Sequence, residues 1–253
     1  MTELAYLADE DAAYTREFVA QVVALPPGGV VLDRTFFYPA GGGQAADHGS
    51  LASASGPVYP VVDVTKSGSA AVHRIRRVPS PGVRTLQVGD PVTGTLDWDR
   101  RYRHMRLHTG QHLLSALIFD RTGVRTREAN MSGSGGTVDL ERPLPPEATP
   151  ETLSSTANTI LAEGRRVSIR HVSREDWEKN PTPRSGLVPL PRHVDPVRII
   201  EIEGLDACPC GGTHVRSTLE VGALALDPPV PLALGAVRVP FRLLEAASSN
   251  RSA

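Results

Sequence analysis

Lysine is nearly missing from this chain. Lys66 and Lys179 are the only two, so arginine carries almost all of the positive charge. Basic and acidic residues almost cancel, at 27 against 28, which excludes a generic polycation. A nucleic-acid partner would have to meet positive charge gathered locally. Cysteine is limited to Cys208 and Cys210, one residue apart. Neighbours that close are poorly placed for a structural disulfide, so a reducing, cytoplasmic setting is expected. No apolar run approaches the ~18 residues of a membrane span, so no membrane partner is expected. Met1 to Glu10 has acidic residues and no basic segment, unlike a signal peptide. What remains is 253 residues, 40% hydrophobic and 22% charged, enough for one large or two modest domains with real cores.

Residues 1–95 read as a small β-rich, barrel-like domain. Short apolar runs at Val30 to Leu32, Val58 to Val64, Ala70 to Ile75 and Val92 to Leu96 are separated by Gly, Ser and Pro. Asp11 to Ala24 reads as a first helix, with Tyr14, Phe18, Val22 and Val23 on one side. The character changes at Asp97. A helix is expected from there to Phe119, with Met105, Leu113, Leu114, Leu117 and Ile118 as its apolar side and Thr122-Gly123 as its end. Further on, a strand is expected at Thr137 to Leu140, a proline-rich connection at Pro143 to Pro150 and a helix at Thr152 to Gly164. Strands follow at Arg166 to Val172, Val197 to Ile202, Ala223 to Leu226 and Val237 to Leu244, with a proline-dense loop at Asn180 to Pro196. Residues 96–253 therefore read as an α+β domain with an antiparallel sheet, and the whole chain as α+β.

Two short segments carry metal-ligand chemistry. His108-Thr109-Gly110-Gln111-His112 places two imidazoles four apart, on one face of a helix. Such a pair alone is commonly a surface or packing feature. Thr109 stands where the zinc proteases have glutamate, which disfavours that chemistry. His104 adds a third histidine on the same face, behind the ligands or facing solvent. Cys208-Pro209-Cys210-Gly211-Gly212-Thr213-His214 supplies a thiolate and an imidazole four apart across a Gly-Gly turn. Together the segments offer a Cys/His set suited to Zn2+. Cys210 has the spacing to His214, and Cys208 is a spare thiol or an alternative ligand. Four protein ligands normally close a zinc site, whereas a catalytic ion keeps a position open, and spacing does not separate the two.

HTGQHLLSAL at His108 to Leu117 and CGGTHVRST at Cys210 to Thr218 resemble the editing domain shared by alanyl-tRNA synthetases and the AlaX proteins. A third block, Leu32 to Gln44, resembles the glycine-rich motif of the longer AlaX proteins. The blocks stand in family order and span nearly the whole chain. The resemblance implies a zinc site at His108, His112, Cys210 and His214, and hydrolysis of the ester joining a wrong amino acid, typically serine or glycine, to a tRNA 3′ end. It also implies that Gly41, Gly42 and Gly43 bring backbone amides near the terminal adenosine or carbonyl, with Thr35 and Gln44 near the amino acid. Read by themselves, the glycines can equally be a flexible loop, and Thr35 and Gln44 loop-stabilising side chains. Where the family suggests His or Gln after the zinc helix, this chain has Asn130, in a stretch of Gly and Ser that reshapes the pocket or is a plain loop. Arg100, Arg101, Arg103 and Arg106 are candidates for tRNA phosphates, against the alternative of a solvated helix face. Three functions are carried forward: editing of seryl- or glycyl-tRNA for alanine, a deacylase for another β-hydroxy or non-standard amino acid on a tRNA such as that for threonine, and a zinc-stabilised RNA-binding module without activity.

Overall fold

The computed structural model describes residues 1–53, 57–76, 85–181, 190–191 and 193–244. The chain divides into two compact units, Met1–His104 and Met105–Ala253. The division falls inside one long helix, α1 (Trp98–Thr122).

The first unit is a closed antiparallel barrel. Its strands are β1 (Glu17–Ala24), β2 (Gly29–Leu32), β3 (Gly49–Ser53), β4 (Val58–Ser67), β5 (Ala70–Ile75) and β6 (Pro91–Leu96), joined in the order β1-β2-β5-β4-β3-β6. The expected first helix is therefore a correction: Ala12–Tyr14 forms a single 3-10 turn and Glu17–Ala24 is strand. Its burial alternates residue by residue, with Phe18, Ala20 and Val22 inward. A spacing of four, as between Phe18 and Val22, fits a helix face and a strand face alike, and the intervening Ala20 decides for the strand. Phe18 lies over Gly94 of β6, where an added Cβ would sit 2.5 Å from the ring. Phe18, Phe36, Phe37, Leu51 and Tyr59 fill the interior.

In the second unit, β7 (Thr126–Ser132) and β8 (Gly135–Leu140) form a hairpin. They join β12 (Ala223–Leu226) and β13 (Val237–Leu244) in the antiparallel order β12-β13-β8-β7, to which Val230–Pro231 adds a short edge. The Gly/Ser stretch around Asn130 is thus paired strand, turning at Gly133 with φ 60°. A second antiparallel sheet has the order β9 (Val167–Val172), β10 (Val197–Ile202), β11 (Asp206–Pro209). Helix α2 (Pro150–Ala162) starts on a Thr149 cap, and Leu153, Ala157 and Leu161 form its buried stripe. The expected loop from Asn180 is preceded by α3 (Arg174–Lys179), capped by Ser173, whose Trp177 packs on Val197 and Ile199. Most of that loop, residues 182–189 and 192, lies outside the described residues. Helix α1 is buried on every side from Leu107 to Ile118, not on one apolar face alone.

Candidate metal centre

The site is assembled from the middle of α1 and the segment after β11. Helical spacing puts His108 and His112 side by side, with ring centroids 5.2 Å apart. The second segment is held by Arg198 of β10. Its Nη1 donates to the carbonyls of Cys210 (2.7 Å) and Gly212 (3.0 Å), while the Cys210 amide donates to the Arg198 carbonyl (3.1 Å). The next turn is fixed by α4 (Thr218–Val221), where Ser217 and Glu220 form a capping box. His214 is thereby brought against α1, its ring centroid 4.3 Å from that of His108 and 4.7 Å from that of His112.

One ligand atom from each of His108, His112, Cys210 and His214 lies within 4.8 Å of all the others. The Cys210 sulfur is 3.4 Å from Nε2 of His108 and 3.4 Å from Nε2 of His214. A tetrahedral zinc with sulfur at ~2.3 Å and nitrogen at ~2.0 Å sets those atoms about 3.5 Å apart. The donor set and its spacing therefore fit a zinc ion, and the four residues can hold one. Cys208 is not in this group: it faces Ile200 across the strand pair, with its sulfur 3.8 Å from the Pro209 carbonyl.

The surroundings favour a cation. Burial raises the Cys210 thiol, but the neighbouring His108 charge and hydrogen bonds from three imidazoles hold its pKa well below the usual thiol range. The thiolate is the metal-binding form. Burial likewise disfavours a charged His112, yet hydrogen bonds to Asp206 and Cys210 lift its pKa to about 9. His214 is driven well below its ordinary value by burial and by the charge of His108. Behind the ligands, His112 Nδ1 is 3.2 Å from Asp206 Oδ2, and His214 Nδ1 is 3.1 Å from the Thr109 hydroxyl. That hydroxyl also accepts the Val215 amide at 3.2 Å. Asp206 and Thr109 were not singled out from the sequence. The only signals were a carboxylate four residues before Cys210 and a hydroxyl between the two helix histidines. His104 is buried, outside the four-residue group, and burial with the nearby Arg100 holds its pKa at about 4.

The remaining candidates are distributed as follows. Gly41, Gly42 and Gly43 form a tight turn closed by paired backbone bonds between Gly41 and Gln44 (3.1 and 3.0 Å). Gly42 and Gly43 have φ of 55° and 80°, the left-handed pair of a type I′ hairpin turn, so this is a defined turn. The Tyr38 hydroxyl buttresses it by donating to the Gly41 carbonyl at 2.5 Å. Gln44 is buried beside it. Thr35 is fully buried: its hydroxyl bonds His73 Nε2 (2.8 Å) and accepts the Phe37 amide (3.1 Å). Asn130 is exposed on β7, paired with Thr137, with Met131 and Val138 on the opposite, core-facing side. The four arginines share no single surface. Arg103 is exposed; Arg100 is partly buried and donates to the Ala46 carbonyl (2.9 Å); Arg106 donates twice to the Val221 carbonyl (3.1 and 3.0 Å). Arg101 is fully buried, bonding Asp47, the Ala13 carbonyl at 2.8 Å and the Phe36 carbonyl. It presents nothing to a phosphate on the surface.

Comparison with known proteins agrees with the motifs. The family described as "Threonyl and Alanyl tRNA synthetase second additional domain" matches residues 197–227, and "tRNA synthetases class II (A)" matches residues 10–100. An alanyl-tRNA editing protein AlaX-M of Methanosarcina mazei is 34% identical over 251 residues, covering 98% of this chain and 99% of its own. One from Saccharolobus solfataricus is 33% identical, covering 89% and 92%. The alanine–tRNA ligase of Ignicoccus hospitalis is 36% identical across 90% of this chain but only 25% of its own length. With the resemblance running end to end through a free-standing protein of the same length, and the Cys/His centre in place, this chain belongs to the alanyl-tRNA editing family, on its AlaX-M branch.

Proposed function

We propose that this protein is a trans-editing deacylase that hydrolyses the ester of mischarged tRNA, with seryl- or glycyl-tRNA for alanine as substrate. The observation that carries the proposal is the near-complete mutual coverage with proteins named for alanyl-tRNA editing. The ordered convergence of His108, His112, Cys210 and His214 supports it.

The chemistry suits the residues. An aminoacyl ester is already activated, so its hydrolysis needs a positioned water and little acid on the leaving group. A zinc ion, when bound by the four residues, supplies a Lewis acid and an anchor for the amino acid or the water. Asp206 and Thr109 hold two of the imidazoles in orientation, and Arg198 holds the loop that carries the thiolate. In this reading the Gly41–Gly43 turn offers backbone amides to the terminal adenosine or the carbonyl oxygen, and Gln44 shapes that turn. Selectivity for serine over alanine calls for a hydroxyl contact. Among Thr35, Gln44 and Asn130, Asn130 is the one whose side chain meets solvent. Thr35 keeps a supporting part, through its bonds to His73 and the Phe37 amide. Arg103, with Arg100 and Arg106 in lesser part, is proposed to meet tRNA phosphate.

Multiple-turnover deacylation of a panel of aminoacyl-tRNAs by the purified protein tests the function. Turnover on alanine tRNA carrying serine or glycine is expected. Turnover confined to threonine tRNA moves the substrate to the second reading. Stoichiometric tRNA binding without any hydrolysis leaves only an RNA-binding module.

A further inference from the structure

Beyond the four ligands, the centre contains an asymmetry that the family resemblance does not address. The outer nitrogens of His112 and His214 meet partners that differ in charge. His214 Nδ1 meets a neutral hydroxyl, that of Thr109, at 3.1 Å. His112 Nδ1 meets the carboxylate of Asp206 at 3.2 Å. Asp206 is itself buried, at 8% exposure, at the start of the strand that leads to Cys210. The four ligands bring only one negative charge, that of the Cys210 thiolate. A divalent ion held by one thiolate and three neutral imidazoles is therefore a buried cation of net charge one, which is costly unless a counter-charge lies close. Asp206 supplies such a counter-charge.

We propose that Asp206 is the positioning and charge-compensating residue of this centre: its carboxylate fixes the His112 ring with Nε2 left for the metal, and offsets part of the buried positive charge. The proposal rests on the metal reading given above. A carboxylate behind a metal-bound imidazole orients the ring and strengthens its donation, and removing such partners commonly weakens metal binding 10- to 100-fold. Thr109, behind His214, orients without charge. The two partners therefore separate orientation from charge.

Zinc affinity, measured on the purified protein by competition with a chromophoric chelator, tests this. Wild type is expected to hold one zinc per chain. Asp206→Asn, which keeps an acceptor for Nδ1–H but loses the charge, is expected to bind roughly 10- to 100-fold more weakly. Asp206→Glu is expected to recover part of that loss, and Thr109→Val to lose less than Asp206→Asn. The urea midpoint of Asp206→Asn is expected to fall further in the zinc-loaded protein than in the metal-free protein, where only the His112–Asp206 pair is lost. Equal zinc affinity in Asp206→Asn and wild type overturns the proposal. So does an equal loss in Thr109→Val, or a midpoint that falls as far without zinc, which reduces Asp206 to a turn residue. A wild type that takes up no zinc overturns the metal reading itself, a separate failure. If Asp206→Asn does not fold, the zinc-loaded wild type decides by long-range 1H–15N spectra. A protonated His112 Nδ1 with its proton downfield of that of His214 supports the proposal, and coordination through His112 Nδ1 overturns it.

Discussion

His73 and Thr35 form a buried polar pair inside the barrel unit, and its energetics are readable from the hydrogen bonds. His73 Nδ1 lies 3.0 Å from the Val30 carbonyl, so it carries the proton, and Nε2 accepts from Thr35. Burial lowers the His73 pKa from 6.5 to about 4, although the Val30 bond works against it. Between those values the unfolded chain binds a proton that the folded chain refuses, so stability rises with pH. The contribution is fully present above pH 6.5 and is lost as pH falls towards 4. It corresponds to about 3 kcal/mol, and urea titrations between pH 7 and pH 4 read it as a slope that His73→Gln should lack. Coincident slopes would show that the imidazole is not held neutral. Thr35→Val leaves Nε2 and the Phe37 amide without a partner and should cost about 1–3 kcal/mol of stability. A change in substrate selectivity with stability intact would place Thr35 at the substrate instead. The arginines divide in the same way. Arg101→Ala strands a buried Asp47 carboxylate and should destabilise the fold by about 3–5 kcal/mol. Arg103→Ala should leave stability unchanged and reduce the salt slope of tRNA binding by about one. The reverse pattern would exchange their roles. At the centre, Cys210→Ala should abolish stoichiometric zinc while Cys208→Ala keeps it, by metal analysis; equal loss would mean that the ligand thiol is misassigned.

Helix α1 shows what its residues reveal about an element and what they conceal. Its span follows from an uninterrupted helical pattern ended by Gly123 at φ 65°. Its burial on all sides does not follow, because His108, Thr109, Gln111, His112 and Ser115 look like a polar face. They are buried with partners: Gln111 reaches Ser115 at 2.7 Å, and Thr109 reaches His214. Gly110 faces Val221 of α4 and Leu224 of β12. An added Cβ would stand 3.4 Å from Val221 Cγ1 and 3.5 Å from Leu224 Cδ2, ordinary contact. Gly110→Ala should therefore stabilise the protein by about 0.5–1 kcal/mol through helix propensity alone, as a raised melting temperature. A lowered one would show that the two residues cannot yield. Strands bounded by turn residues, such as Ala70–Ile75 and Val197–Ile202, were legible residue for residue. Glu17–Ala24 was not, because a four-residue apolar spacing serves both periodicities. Thr126–Ser132 was hidden by polar side chains, since an edge strand exposes much of its length. The grouping of His108, His112, Cys210 and His214 was legible because each pair is local in sequence. Asp206 was not, since its partner His112 stands 94 residues away.

At the scale of the whole molecule, the barrel and the α+β unit each close their own core, and the metal centre lies wholly in the second. Among the described residues no helix is long and apolar enough to cross a membrane. Near-zero net charge leaves RNA recognition to positive charge gathered locally, for which Arg103 is the proposed candidate. Editing has to spare the correct product. A pocket that excludes by size discriminates only ~1–3 kcal/mol per methylene, whereas a site that binds a hydroxyl rejects its absence far more strongly. The most direct measurement is therefore the initial deacylation rate of zinc-loaded protein on one alanine tRNA body charged in turn with serine, glycine and alanine. Seryl-tRNA should be hydrolysed with repeated turnover and alanyl-tRNA spared by at least about 100-fold. Equal rates on the seryl and alanyl esters, or no turnover on any of the three, would contradict the assignment.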